Sequence, residues 1–427
     1  MKQFTALKIM KAGENVFLTG SAGAGKTYVL NQYIKYLREH EIPVAITAST
    51  GIAATHLGGQ TIHSWSGLGI KEEITKHDLE KIAKKKKVRQ RLEKVEVLIL
   101  DEISMISRKT LNCLDQILRF FKVSFEPFGG IQVIFSGDFF QLPPVSKERL
   151  NSREKFAFMS PVWKKLDLKV CYLTEQYRQS NCTLTDILNE MRSGEISDVA
   201  QDLLLEKLEE SRENKEEFAI KLYTHNADVD RINSEELEKL PGKTEMYFAK
   251  LSGKKEFAKF LAKSVLAPEV LELKIGAKVI FVKNNPEQGY FNGTLGEISR
   301  ISPDGWPIVK LNDEREITVK RADWSMTNEF GQILATFSQI PLRLAWAITV
   351  HKSQGMTLEK AEMDLSKTFE AGQGYVALSR VKSWDGLKLL GANGNVLRMD
   401  ELAMAADKRF QQLSAEIEKI YENVSEE

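Results

Sequence analysis

A chain of 427 residues, at about 150 residues per domain, suggests about three domains. With 42% apolar and 28% charged residues, the composition is that of a globular protein with more than one core. Lys and Arg total 60 against 59 Asp and Glu, a net charge of +1 that excludes an acidic solvating chain and removes bulk basicity as an argument for a nucleic-acid partner.

The first 180 residues alternate short apolar, β-branched runs with helical stretches. Asn15–Thr19, Val44–Ala48, Val97–Leu100, Ile131–Phe135 and Val170–Leu173 read as buried strands. Strands separated by helices predict a parallel sheet covered on both faces, hence an α/β unit. The first strand runs into Gly20-Ser-Ala-Gly23-Ala-Gly25-Lys26-Thr27, followed by a helical stretch over residues 28–38. Glycines at these positions let backbone N–H groups curl around phosphate oxygens, Lys26 adds a point charge for the β and γ phosphates, and the Thr27 hydroxyl suits Mg²⁺. The alternative, a glycine turn before a helix, does not explain the Lys-Thr pair.

The next strands supply the partners that a phosphate loop needs. Val97-Leu-Ile-Leu-Asp101-Glu102 ends an apolar run in two carboxylates, Asp101 to hold Mg²⁺ and Glu102 to polarise the attacking water. No Asn-Lys-x-Asp guanine reader appears, so ATP is the expected nucleotide. Before this strand, residues 71–94 carry ten basic and five acidic side chains, with Lys84 to Lys87 consecutive; a solvated face is the simple reading and binding of a duplex or displaced strand the alternative. Phe135-Ser-Gly-Asp138-Phe-Phe-Gln141-Leu-Pro-Pro places Gln141 where a γ-phosphate sensor would sit, unless the stretch is only a proline loop. Arg178 and Arg380 are candidates for the delocalised charge that phosphoryl transfer requires.

Residues 183–217 read as helical, and Ala219–Tyr223 as the first strand of a second unit. From about 243 to 340 short alternating runs separated by Asn, Gly and Pro predict a small all-β module. After Pro341 the α/β texture returns through Glu362–Leu365 and Gly386–Leu390. The last helix carries Leu402, Ala406, Phe410, Leu413, Ile417 and Ile420 at helical spacing, a face expected to dock on a core. The cysteines Cys113, Cys171 and Cys182 form no CxxC pair, so no disulfide framework or zinc site is expected. No apolar run reaches about 18 residues and the amino terminus is polar, which predicts a soluble, cytoplasmic protein with no membrane contact.

In order along the chain, the phosphate loop, Thr47-Ala-Ser-Thr50-Gly51-Ile-Ala-Ala54, Gly59-Gln-Thr-Ile-His63-Ser-Trp65, Asp101-Glu102, Gly137 to Pro144, Tyr177-Arg178, Thr349-Val-His351-Lys352-Ser-Gln354-Gly355 and Tyr375 to Arg380 resemble the Pif (petite integration frequency) family of superfamily 1B, RecD-like helicases. The resemblance implies an α/β architecture of two RecA-like P-loop domains with an SH3-like β-barrel inserted in the second. It divides the chain into domain 1A (1–175, with a small 1B wedge at about 64–76), domain 2A (176–240 and 341–427) and domain 2B (241–340). It implies ATP and Mg²⁺ as cofactors and 5′-to-3′ movement on single-stranded DNA at single-strand/duplex junctions, with a monomer as the basic unit. A bacterial or phage source fits the short flanks.

Residue by residue, the resemblance implies nucleotide contacts from Gln3 (to adenine), Gly20, Gly23, Gly25, Lys26, Thr27 and Gly355. It implies catalytic roles for Lys26, Thr27, Asp101, Glu102, Gln141, Arg178 and Arg380. Thr50, Gly51, His63, Thr349, His351, Lys352 and Asn292 are expected along the DNA track. Trp65 and Phe140 are candidate stacking surfaces, with a core position the alternative for Trp65. RNA or RNA–DNA hybrids as substrate, and a nucleotide-switched DNA clamp, remain open alternatives.

Overall fold

The computed structural model describes the whole chain except residues 70, 145–151, 175–181, 214–219, 224–228, 286, 312, 328–331, 351–352, 354–355 and 424–427. Arg178, His351, Lys352 and Gly355 therefore lie outside the described residues.

Six strands form the first sheet: β1 (Val16–Gly20), β2 (Val44–Ala48), β3 (Gln60–Thr61), β4 (Val97–Asp101), β5 (Gln132–Ser136) and β6 (Lys169–Leu173). All pair in parallel in the order β3-β2-β4-β5-β1-β6. The period of two in a strand sorts their side chains into two cores. Val16, Leu18, Val44, Ile46, Val97, Ile99 and Ile134 pack under the Gln3–Lys11 and Lys26–Glu39 helices. Phe17, Ala45, Leu98, Leu100, Val133 and Phe135 face the Arg108–Lys122 helix on the other side. A sheet buried on both faces has no use for polar alternation, which explains the apolar runs. The two-residue β3 carries no such run.

The second unit is a four-stranded sheet, with Ala347–Thr349, Lys221–Tyr223, Ala361–Leu365 and Leu387–Ala392 adjacent in that order and parallel. Its helical lead-in is two helices, Cys182–Ser193 and Asp198–Glu213. Gly194 breaks them at φ 76°, the left-handed stop that glycine adopts without strain, and a Cβ there would meet Met404 Sδ at 2.6 Å. Ser197 restarts the helix by accepting from Ala200 N at 3.1 Å.

Between the Val229–Lys239 helix and Leu342–Leu344 lies the antiparallel module. Its five-stranded sheet joins Glu316–Thr318, Pro307–Leu311, Leu295–Ile301, Lys278–Phe281 and Leu342–Leu344 around a core of Val279, Phe281, Ile298 and Val309. The hairpin of Ala322–Thr327 and Ile333–Gln339 pairs with Lys250–Gly253, and the Lys255–Ser264 helix leans against the first unit.

The closing helix, Glu401–Asn423, does not end on the second sheet. It crosses to β6, where Ser414 Oγ accepts from Tyr172 N at 2.9 Å and Phe410 enters an aromatic cluster with Phe17, Phe139, Phe158 and Trp163. The buried stripe runs through Ala403, Asp407, Phe410 and Ser414, while Ile420 is 60% exposed and lies off it. The expected face docks through Leu402, Ala406, Phe410, Leu413 and Ile417, with Ile420 alone left out, and the polar Asp407 and Ser414 join it because they find partners on β6.

Candidate nucleotide and nucleic-acid site

The P-loop joins the carboxyl end of β1 to the Lys26–Glu39 helix. Two of its glycines are there for space. A Cβ on Gly20 would stand 2.6 Å from Leu173 O, and one on Gly25, at φ 87°, would stand 2.0 Å from Gln3 Nε2. Gln3 donates to Ala24 O at 3.2 Å, so the first helix of the chain leans directly on the loop. Lys26 Nζ donates to Gly20 O at 2.8 Å and Ser21 O at 3.0 Å. Removal from water pushes its pKa below the usual lysine value, against the opposing pull of Asp138, Glu102 and Asp101. Thr27 follows on the first turn and is exposed.

Asp101 and Glu102 end β4 beside it. Burial raises the Asp101 pKa, while the Glu102 backbone and the charge of Lys26 pull it down. Glu102 is raised to about 7, by burial first and by the neighbouring Asp101 second; Lys26 and Arg380 oppose this. Its backbone sits at φ 54°, a conformation a β-unbranched acid adopts only when the surroundings impose it. Gly137 makes room for that turn, since a Cβ there would touch Ile103 N at 3.0 Å.

After β5, Asp138 organises a tight turn: its Oδ1 accepts from Phe140 N at 3.2 Å and its carbonyl from Gln141 N at 2.9 Å. Gln141 is thereby fixed, 7% exposed. From the second unit the Gln373–Leu378 helix meets this turn so closely that a Cβ on Gly372 would stand 2.7 Å from Phe140 O. Arg380 lies just past that helix, 1% exposed, donating to Val376 O at 2.9 Å and Ser379 Oγ at 2.8 Å. Its charge reaches Glu102. Lys26, Asp101, Glu102, Gln141 and Arg380, separated by up to 354 residues (380 less 26), thus face one cleft between the two sheets.

The nucleic-acid candidates are distributed differently. Thr50 caps the Gly51–His56 helix by accepting from Ala53 N at 3.2 Å. Gly51 is covered by the Lys255–Ser264 helix, its missing Cβ 2.3 Å from Ser264 Oγ. Burial lowers the pKa of His63, so its imidazole is neutral near pH 7 and offers hydrogen bonds rather than charge. Thr349 is buried at 1% at the end of its strand. Asn292 sits in the β module with its side-chain carbonyl oxygen buried and unpartnered among the described residues. The adjoining Gly293 abuts Thr357 O, 2.3 Å from where a Cβ would be.

One expectation is corrected, and for another the alternative holds. Trp65, 4% exposed, packs in the first unit's core, the position left open for it, and lines a cavity with Lys87, Arg91 and Lys254. Phe140, 2% exposed, lies under the Arg192 guanidinium with 4.3 Å between charge and ring centroid. Both rings are held by large apolar neighbourhoods that sequence spacing does not display.

One cluster was not foreseen. Arg192 donates to Asp138 Oδ2 at 2.7 Å, Tyr375 Oη at 2.9 Å, Tyr172 Oη at 2.8 Å and Asp407 Oδ1 at 3.0 Å. Its signal in the sequence is faint: an arginine on the same helical face as Leu184, Leu188 and Met191, where an apolar residue would be usual. Among the described residues no group of three or more acidic, His or Cys side chains forms a metal cage, and no helix is long and apolar enough to cross a membrane.

The profile of the PIF1-like helicase family matches residues 1–213, and that of the DNA helicase Pif1 2B domain matches 256–301. The ATP-dependent DNA helicase Pif1 of Psychrobacter sp. is 47% identical, covering 100% of this chain and 73% of its own length. Pif1 from Bacteroides sp. in complex with ADP-AlF4 superposes with a TM-score of 0.82 at 32% identity, covering 96% of both chains. Bacteroides Pif1 bound to ssDNA gives 0.59 at 31% identity, with 95% of both chains covered. By its matched profiles, its full-length similarity and the two parallel-sheet units flanking one phosphate cleft, this chain belongs to the PIF1-like family of ATP-dependent DNA helicases.

Proposed function

We propose that the chain hydrolyses ATP between its two parallel-sheet units to drive 5′-to-3′ movement along single-stranded DNA and to open duplexes at junctions. The convergence of Lys26, Asp101, Glu102, Gln141 and Arg380 on one cleft carries this reading. Each group suits one demand of phosphoryl transfer. The Gly20, Gly23 and Gly25 amides and Lys26 hold the β and γ phosphates, and Gln3 reads the adenine, a role supported by its bond to Ala24 O of the loop. Glu102, with its pKa near neutrality, accepts a proton from the attacking water. Gln141 and the arginines Arg178 and Arg380 take up charge on the γ-phosphate, and Gly355 completes the nucleotide pocket.

Mg²⁺ fits the donor set: the Thr27 hydroxyl and the buried Asp101 carboxylate would hold it, hard oxygen donors of the kind this ion takes beside phosphate and water. When bound it supplies charge neutralisation along the phosphates. Thr50, Gly51, His63, Thr349, His351, Lys352 and Asn292 form the strand path, through hydroxyls, amides and few cations. The antiparallel module acts as domain 2B, an SH3-like barrel inserted in domain 2A, and residues 64–76 act as the 1B wedge. Domain 1A covers 1–175, and 2A covers 176–240 and 341–427.

Strand displacement on partial duplexes with a 5′ or a 3′ tail tests the proposal. Unwinding from the 5′ tail alone, with ATP turnover strongly stimulated by single strands, is expected. Unwinding only from the 3′ tail overturns the polarity, and slow turnover without stimulation favours a clamp.

A further inference from the structure

The Arg192 cluster lies at a junction between the two sides of the cleft. Asp138 gives one carboxylate oxygen to Phe140 N, shaping the turn that presents Gln141, and the other to Arg192 Nη1 at 2.7 Å and Tyr375 Oη at 3.3 Å. Tyr375 belongs to the Gln373–Leu378 helix, whose carbonyl of Val376 accepts from Arg380 Nε. A single carboxylate is therefore linked by hydrogen bonds to the supports of Gln141 on one side and of Arg380 on the other. Arg192 is the hub. Its second nitrogen reaches Tyr172 of β6 and Asp407 of the closing helix, and its plane covers Phe140.

A buried ion pair is weak evidence for stability, since apolar residues of equal volume often serve as well. What it provides here is direction. The guanidinium fork fixes angles as well as distances, and a lysine would supply only a point charge. Four groups from four separate elements meet at this side chain of the Cys182–Ser193 helix: from the turn after β5, from β6, from the Gln373–Leu378 helix and from the closing helix. The Lys155–Glu370 ion pair makes a second tie beside it.

We propose that Arg192 is a positioning residue which, with Asp138 and Tyr375, forms a fixed pivot setting the Gln141 turn against the Arg380 helix so that both groups converge on the same γ-phosphate. The inference rests on the roles given above to Gln141 and Arg380. Cleft closure then rotates about this point, and the spacing of the two phosphate-directed groups is preserved through the cycle.

The test uses the full chain, with Tyr375→Phe, Arg192→Lys, Gln141→Ala and Arg380→Ala measured side by side for kcat and KM of ssDNA-stimulated ATP hydrolysis and for Tm. Tyr375→Phe keeps the ring in the core and removes only the hydroxyl. It should lower kcat about tenfold with KM for ATP within about threefold, the signature of misplaced reacting groups rather than lost binding. Arg192→Lys, which retains the charge without the fork, should not rescue. Wild-type kcat in either variant, or a kcat loss in both that disappears when assayed well below a lowered Tm, overturns the pivot. If Gln141→Ala and Arg380→Ala leave kcat unchanged, the phosphate-sensing roles fail first and the pivot falls with them. If those two lose activity while Tyr375→Phe and Arg192→Lys do not, only the pivot fails.

Discussion

Glu102 combines two unfavourable features, a left-handed backbone at φ 54° and a carboxyl whose pKa burial and Asp101 raise to about 7. Strain of this kind costs about 1–3 kcal/mol and persists where neighbouring structure imposes it. A base works in its deprotonated form, so a raised pKa moves the working range upward. Below about pH 7 Glu102 holds its own proton; above it the carboxylate is free to take one from water. The kcat/KM for ATP, which reports groups of the free enzyme, should rise about tenfold per unit below pH 6 and level off above about pH 8. A rate–pH profile flat from 5 to 8 would remove Glu102 from the role of base. Glu102→Gln should lower turnover by about a hundredfold or more while nucleotide binding persists, as measured by fluorescent-nucleotide titration beside steady-state hydrolysis.

At the level of elements, the closing helix and the segment after His63 make separate predictions. Phe410 is 8% exposed among four aromatic rings, and truncating such a side chain leaves a cavity. Phe410→Ala should destabilise the fold by about 3 kcal/mol or more, read by chemical denaturation. In the other segment Leu68 is buried and Thr75 caps the next helix in a capping box with Asp78, so both ends are anchored. Replacing residues 69–73 with two glycines spares those anchors. It should abolish strand separation while leaving DNA-stimulated hydrolysis intact, and loss of both together would refute a wedge at this place.

Across the whole molecule, what could be read from the sequence was what lies close together along it. The five strands foreseen in the first sheet are found to within one residue, because burial on both faces writes each one as a continuous apolar run. Asp101 ends such a run, and Lys26 and Gln141 follow one within six residues, so their convergence at the carboxyl edge of the sheet followed from topology. Arg192 and Asp407 gave no comparable signal: the partners of Arg192 are 20 to 215 residues away, and a lone Arg or Asp is uninformative without them. Trp65 and Phe140 show the converse, since an aromatic beside a motif looks the same in sequence whether it faces solvent or core. The lysine run Lys84–Lys87 stays on an exposed stretch where one helix ends and the next begins. Changing Lys84, Lys85 and Lys86 to Gln should leave the salt dependence of DNA binding unchanged; a shallower slope would assign them phosphate contacts.

The crossing of the closing helix has a bearing on self-association. β6 is an outer strand of the first sheet, and an uncovered outer strand invites another chain to add to it. Ser414 occupies the Tyr172 N–H, and the Met1 amine donates to Tyr172 O at 2.9 Å, so both backbone groups of that residue are already taken. The helix that draws the far end of the chain back to this strand also seals a seam along which copies could stick. Loosening it at Ser414 or Phe410 would expose this seam for the growth of aggregates.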